Sequence, residues 1–275
     1  MQNLLVRSLS GSVYVALILG GCFGHLYGPS ILMLIIGGIA IFEWQSIRPN
    51  NFQSGNYIFS ILIFLLSAAL FNPLLQIDSK ISLILKSALG LVASIFILTQ
   101  SFSRKNETIS ILSHNGFGFI YLFPALFILP IFSNVLEGNH PWLLASVFIL
   151  IWTSDTFAYL SGRFLGKNKL FERISPKKTW EGFLGGLLFT VAAAIILAYY
   201  LDFLSTGAWI GLGILVAICG TLGDLFESAI KRNFKVKDSG SFIPGHGGIL
   251  DRIDSLLLVL PLAYLYLSII YAFGL

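Results

Sequence analysis

The 275-residue sequence is 56% hydrophobic, only 11% charged and carries a formal net charge of +4. Soluble domains are about a quarter charged, so a soluble fold is excluded and an integral membrane protein is expected. The basic residues lie in a few loops between apolar segments; that is membrane topology rather than a DNA-reading face, and no nucleic-acid partner is expected. Cys22 and Cys219 both sit inside apolar runs, which argues against a disulfide framework or a Cys-based metal site and leaves the redox compartment open.

A transmembrane helix needs about 20 apolar residues to cross ~30 Å of hydrocarbon. The first candidate, 8 to 27, follows Arg7 and ends near Leu19-Gly20-Gly21-Cys22, the outline of a signal peptide with a lipoprotein-like box. Because apolar segments continue beyond it, it is read as a retained helix. Further spans are expected at 30 to 47, 56 to 73, 81 to 100, 115 to 132, 142 to 163, 182 to 201, 207 to 230 and 255 to 274. They are separated by breakers such as Gly28-Pro29, Asn72-Pro73, Asn139-His140-Pro141 and Ser205-Thr206-Gly207, whose backbone preferences end helices. The expected fold is an all-α polytopic transmembrane bundle of about nine spans. With no internal repeat, it reads as one domain over 1–275, in which 1–115 supplies generic N-terminal helices and 142–275 the catalytic helices and loops.

Charge gives the orientation. All lysines and arginines except Lys80 and Lys86 fall on one side of this arrangement, at Arg7, Arg48, Arg104, Lys105, from Arg163 to Lys178 and from Lys231 to Arg252, while Asp78, Glu137 and Asp202 mark the other. Positive loops stay inside, so the N-terminus is expected inside and the C-terminus outside.

Intramembrane acids are costly and usually functional, and four lie within the apolar spans: Glu43, Asp155, Asp224 and Glu227. To Glu43 the sequence assigns no role. Asp155 precedes Arg163 by eight residues and Asp224 precedes Lys231 by seven, which places both roughly 10 to 12 Å from the inside surface. Asp224, Glu227, Ser228 and Lys231 share one helix face, and Asp251, Asp254 and Ser255 open the last helix with the same spacing, so two acidic faces can meet at the inner leaflet. Between them run Lys231-Arg232, Lys237-Asp238, Gly240, Pro244, His246-Gly247-Gly248 and Asp251-Arg252. Glycines admit backbone amides to phosphate oxygens, cations neutralise them and carboxylates hold a divalent metal, so these residues point to phosphate chemistry.

Together they resemble the phosphatidate cytidylyltransferase family, whose signature S-x-x-K-R, four residues, K-D-x-G and P-x-H-G-G-x-x-D-R-x-D is matched at every fixed position from Ser228 to Asp254. Ser154 to Arg163 and Ser175 to Gly182 are similar to two further family segments. Residues 1 to about 115 resemble the family only as membrane helices. The resemblance implies an enzyme of the bacterial inner membrane, its active site facing the cytoplasm. It would join CTP to phosphatidic acid with Mg2+, with a second metal ion left open, and form CDP-diacylglycerol and pyrophosphate. An anionic lipid phosphate needs alignment and charge cancellation more than a general base to attack the CTP α-phosphorus.

On this reading Asp224 and Asp251 are the expected metal ligands and, with Lys177, Lys178 and Asp254, the catalytic set; the alternative for the two aspartates is ion pairing with Arg232 or Arg252. Asp254 and Glu227 are further ligands or their supporting partners. Substrate binding is expected of Ser228, Lys231, Arg232, Lys237, Asp238, His246, Gly247, Gly248, Arg252 and Asp155. Bland roles stay open for several of these: Asp155 as an interhelical acceptor, the lysines as topology signals, the other cations as headgroup contacts. His246 is read as a turn residue bonding a substrate oxygen, not a nucleophile. Partners are CTP, phosphatidic acid and membrane lipid; a homodimer is left open, since the sequence defines no interface. The alternatives are a cytidylyltransferase for an ether lipid, and, in different classes, an ion or metabolite transporter or a membrane scaffold. The transporter is disfavoured because the charges converge on one face.

Orientation is directly testable. Single cysteines at Asn106, Asn168 and Asn233 should react with an impermeant maleimide only from the inside, and one at Asn139 only from the outside; labelling of Asn168 from outside would refute the nine-span arrangement.

Overall fold

The computed structural model describes residues 2–24, 27–47, 92, 111–136, 138–245 and 247–274. The expected spans 56–73 and 81–100 fall outside these residues but for position 92, as do Arg48, Arg104, Lys105 and His246. The described chain forms seven helices: α1 (Gln2–Phe23), α2 (Gly28–Ser46), α3 (Ile111–Ile128), α4 (Pro141–Leu165), α5 (Trp180–Tyr200), α6 (Thr206–Asn233) and α7 (Leu250–Phe273). A 3-10 turn, Leu129–Asn134, extends α3. All but α3 are long and apolar enough to cross a membrane, and the chain is an integral membrane protein of helical type.

Local chemistry accounts for most of the helix ends. Pro29 and Pro141 stand in the first turns of α2 and α4, where a missing N–H costs nothing. Thr179 caps α5 by accepting the Gly182 amide at 3.1 Å, Ser205 caps α6 by accepting that of Ala208 at 3.2 Å, and Gly274, left-handed at φ 64°, ends α7. The N-cap residue of α7, Ile249, offers no side-chain acceptor. This helix begins at Leu250, five residues before the span expected from hydropathy, so Asp251 and Asp254 are helical.

The stretch between α4 and α5, expected as a polar loop, contains a small antiparallel hairpin. Its strands, β1 (Lys169–Phe171) and β2 (Ser175–Thr179), pair Lys169 with Thr179 and Phe171 with Ser175 around an irregularity. The Glu181 carboxylate ties its base, accepting the Lys167 amide at 3.1 Å, the Asn168 amide at 3.2 Å and Asn168 Nδ2 at 2.7 Å. The all-α expectation thus holds for the spans and misses this element, whose polar sequence lacks strand periodicity.

The interior is built from α3, the 3-10 turn, α4, α6 and α7, with Leu129, Phe132, Leu143, Trp209, Val216 and Val259 fully buried. Outward faces are apolar too, as at Leu188, Ile196 and Phe273, because the solvent there is lipid rather than water. Helices α4 and α5 pack backbone close to backbone. A Cβ on Gly186 would stand 2.9 Å from the Ser154 carbonyl and 3.1 Å from Ala158 Cβ, and one on Gly182 would stand 2.8 Å from the Ala158 carbonyl. Small residues on both faces therefore set the spacing that delivers Asp155 and the hairpin to the inner end of the bundle. Gly186→Val should force the pair apart and lower unfolding stability in detergent by about 1–3 kcal/mol; an unchanged melting temperature would show that the interface tolerates the added volume.

Candidate active site

The C-terminal end of α6 carries the polar stripe expected from its spacing. Ser228 Oγ donates to Asp224 Oδ1 at 3.2 Å. One turn further, the Lys231 ammonium contacts Glu227 Oε2 and reaches across to Asp251 Oδ1 at 2.7 Å. From the end of β2, Lys178 Nζ pairs with Asp224 Oδ2 at 2.8 Å and donates to the Thr221 carbonyl at 3.2 Å. Asp224 and Asp251 are thus paired with Lys178 and Lys231. The arginines considered from sequence, Arg232 and Arg252, have exposed side chains.

Close packing of α6 on α7 brings the second acidic face alongside. A Cβ on Gly223 would meet the Asp254 carbonyl at 2.7 Å, and Ser255 Oγ donates to the Gly220 carbonyl at 3.1 Å. Asp254 accepts the Ser255 amide at 2.6 Å and lies within electrostatic reach of Asp224, Glu227 and Asp155. Asp155 of α4, accessible at the surface, feels Asp224, Lys178 and Arg252. Asp155, Asp224, Glu227, Asp251 and Asp254 therefore surround two buried or half-buried lysines, an excess of negative charge at the membrane boundary.

The loop from α6 to α7 folds around two further carboxylate anchors. Asp251 is saturated: besides Lys231, its oxygens accept the Gly248 amide at 2.8 Å and the Ser239 amide at 3.1 Å. Glu43, on α2 and only 3% exposed, accepts the amides of Ile249 at 3.0 Å and Leu250 at 2.8 Å and the Ser239 hydroxyl at 3.2 Å. Helix α1 adds Ser10, which donates to the Pro244 carbonyl at 3.0 Å, and Tyr14, which donates to that of Arg252 at 3.3 Å. Gly245 and Gly247 have φ of 76° and 85°, values that favour glycine, and the Ile243 amide closes the turn on the Gly247 carbonyl at 2.9 Å.

Several expected residues stand apart from this cluster. The side chains of Lys177, Lys237 and Asp238 are exposed at its rim, and His246 lies outside the described residues. Of the loop amides anticipated for phosphate, those of Ser239, Gly248, Ile249 and Leu250 donate to Asp251 and Glu43. Sequence reasoning flagged Glu43 as a costly intramembrane acid but could not supply a partner some 200 residues away. Ser10, Tyr14 and Ser239 carried no signal at all.

The donor set fits a divalent cation held largely through substrate. Glu227 is only 1% exposed and is contacted by the Lys231 ammonium, while the nearby Tyr121 hydroxyl is unpartnered. Among the described residues no three acidic, His or Cys side chains form a ready-made metal cage. A complete protein cage is not required of a Mg2+ site in general, since this ion commonly takes one or two carboxylates and completes its octahedron with water and phosphate oxygens.

Removing the bridging ammonium has a definite consequence. Lys231→Met leaves Glu227 and Asp251 facing each other uncompensated and should cost about 3–5 kcal/mol of unfolding stability. Retention of wild-type stability by this variant in detergent would mean that solvent already screens both carboxylates.

Comparisons with known proteins bear on the family of the chain. The profile of the cytidylyltransferase family matches residues 5–270, so the likeness extends through α1 and α2 as well as the C-terminal motifs. The chain is 38% identical over 247 residues to the phosphatidate cytidylyltransferase of Staphylococcus aureus (strain COL), spanning 86% of this chain and 90% of that protein. It is also 46% identical over 149 residues to that of Staphylococcus haemolyticus (strain JCSC1435), covering 54% and 53% of the two chains. With a match along nearly its whole length, the chain belongs to the cytidylyltransferase family.

Proposed function

We propose that this chain is a phosphatidate cytidylyltransferase, joining CTP to phosphatidic acid within the bilayer. The observation that carries the reading is the close packing of α6 on α7 where Gly223 meets the Asp254 backbone, which sets the acidic faces of Asp224 and Asp254 alongside each other, with Lys178 reaching Asp224 from the hairpin. A phosphate oxygen of the lipid attacks the CTP α-phosphorus, a new P–O bond forms, the bond to the β-phosphate breaks, and pyrophosphate leaves with the electron pair. The product, CDP-diacylglycerol, stays in the membrane.

Two anionic substrates cannot approach this acidic cluster without compensation. Asp224, with Asp254 and Glu227 beside it, is suited to hold Mg2+, which would cancel charge on the phosphates and on departing pyrophosphate. Asp251 reads better as the anchor of the loop than as a direct ligand, because Lys231 and two amides already occupy its oxygens; ligation by Asp251 would require that set to rearrange. Lys178 exchanges its pairing with Asp224 for substrate phosphate. Lys177, Arg232, Lys237 and Arg252 form a cationic rim for nucleotide phosphates and anionic headgroups. The nine-span topology, the cytoplasmic orientation of this rim in a bacterial inner membrane and any homodimer belong to the same reading.

Purified protein supplied with labelled CTP and phosphatidic acid should place the label in an organic-phase product only when the lipid carries a phosphate monoester, and release pyrophosphate. An ether-linked phospholipid used in preference would redirect the assignment to another acceptor. Asp224→Asn should abolish turnover with little loss of stability. Lys178→Ala should slow it roughly ten- to a hundred-fold, the equivalent of a charge-assisted bond acting in the transition state. Activity of Lys178→Ala within about twofold of wild type would remove that residue from the mechanism.

A further inference from the structure

We propose that Glu43 is a positioning residue for nucleotidyl transfer: from the second helix, it caps the N-terminus of the last one and holds the α6–α7 loop in its working shape. This rests on the cytidylyltransferase reading for its catalytic consequence, though not for the clamp itself. Helix α7 starts without a cap of its own, and its opening amides would be unsatisfied at the membrane boundary. Glu43 accepts both the Ile249 and the Leu250 amides, and negative charge at that end also opposes the positive pole of the helix dipole. Its third bond, from the Ser239 hydroxyl, fastens the far side of the loop, so one carboxylate spans Ser239 to Leu250.

Two glycines of the loop are explained by the same group. A Cβ on Gly240 would lie 2.7 Å from Glu43 Cδ, and one on Gly248 would lie 2.8 Å from it. Neither backbone could close on the acid with a larger residue present. Ser239 and Gly248 also donate their amides to Asp251, so the clamp and the acidic face of α7 share one short piece of chain. Release of Glu43 would let Asp251 and, three residues on, Asp254 drift relative to Asp224.

The test uses the full-length enzyme in detergent with CTP and phosphatidic acid, together with amide hydrogen exchange on the substrate-free protein. Glu43→Gln keeps the shape but sets an amide N–H against backbone N–H donors. The expected result is faster exchange confined to residues 239–254, kcat lowered about ten- to a hundred-fold and KM for CTP within about threefold, with partial recovery of kcat in Glu43→Asp. Ser239→Ala, which removes one tether only, should give the same pattern in milder form and carries the test if Glu43→Gln does not fold. Unchanged exchange, acceleration throughout the bundle, or kcat within about twofold of wild type would each overturn the proposal. The exchange arm needs no substrate, so a wild-type protein that failed to use CTP would refute the assigned reaction and leave the clamp to be judged separately.

Discussion

A carboxylate removed from bulk water has to be surrounded by donors or cations, and this requirement organises the end of the bundle where the α6–α7 loop and the hairpin lie. An isolated buried charge costs several kcal/mol even after relaxation, so each acid dictates what packs on it. Glu43 is met by two helix-end amides and a hydroxyl, Asp251 by an ammonium and two amides, and Asp224 by Lys178 and Ser228. The paths of the α6–α7 loop and of the β1–β2 hairpin follow from meeting these needs.

The acids divide by how completely they are met. Glu43 and Asp251 are satisfied within the protein and serve as fixed points. Among the described residues Glu227 has the Lys231 ammonium alone, and Asp254 is crowded by Asp224, Asp155 and Glu227. Fixed points beside under-compensated groups are what a site for anionic ligands needs: rigid geometry with unspent attraction for positive charge.

Hydropathy read correctly for six of the described helices, because a lipid-facing helix announces itself residue by residue. The i, i+3, i+4 spacing likewise placed Asp224, Glu227, Ser228 and Lys231 on one face, and the long motif placed Asp254 opposite them. What escaped was non-local. Asp224 pairs with Lys178 because the hairpin turns back, and the tie that turns it, Glu181 onto Lys167 and Asn168, is spread over 14 positions of polar sequence without period. The loop glycines read as phosphate cradles, since glycine beside a cation is the usual sign of one; the acid that fills the space at Gly240 and Gly248 lies on a helix whose sequence looked generic. The hydropathic span begins only at 255, but the acid spacing already put Asp251 and Asp254 in the opening turns of the last helix, as found; what the sequence does not carry is the Glu43 carboxylate of α2 that accepts the Ile249 and Leu250 amides there.

The separation between Glu43 and its partners, 206 positions to Ile249 and 207 to Leu250, bears on how the protein is made. During synthesis α2 is inserted long before α7 emerges, so for most of translation the nascent chain carries an acid near the headgroups whose donors do not yet exist. The loop that closes on it must then find both α1 and α2 already in place, a contact of high order that forms late.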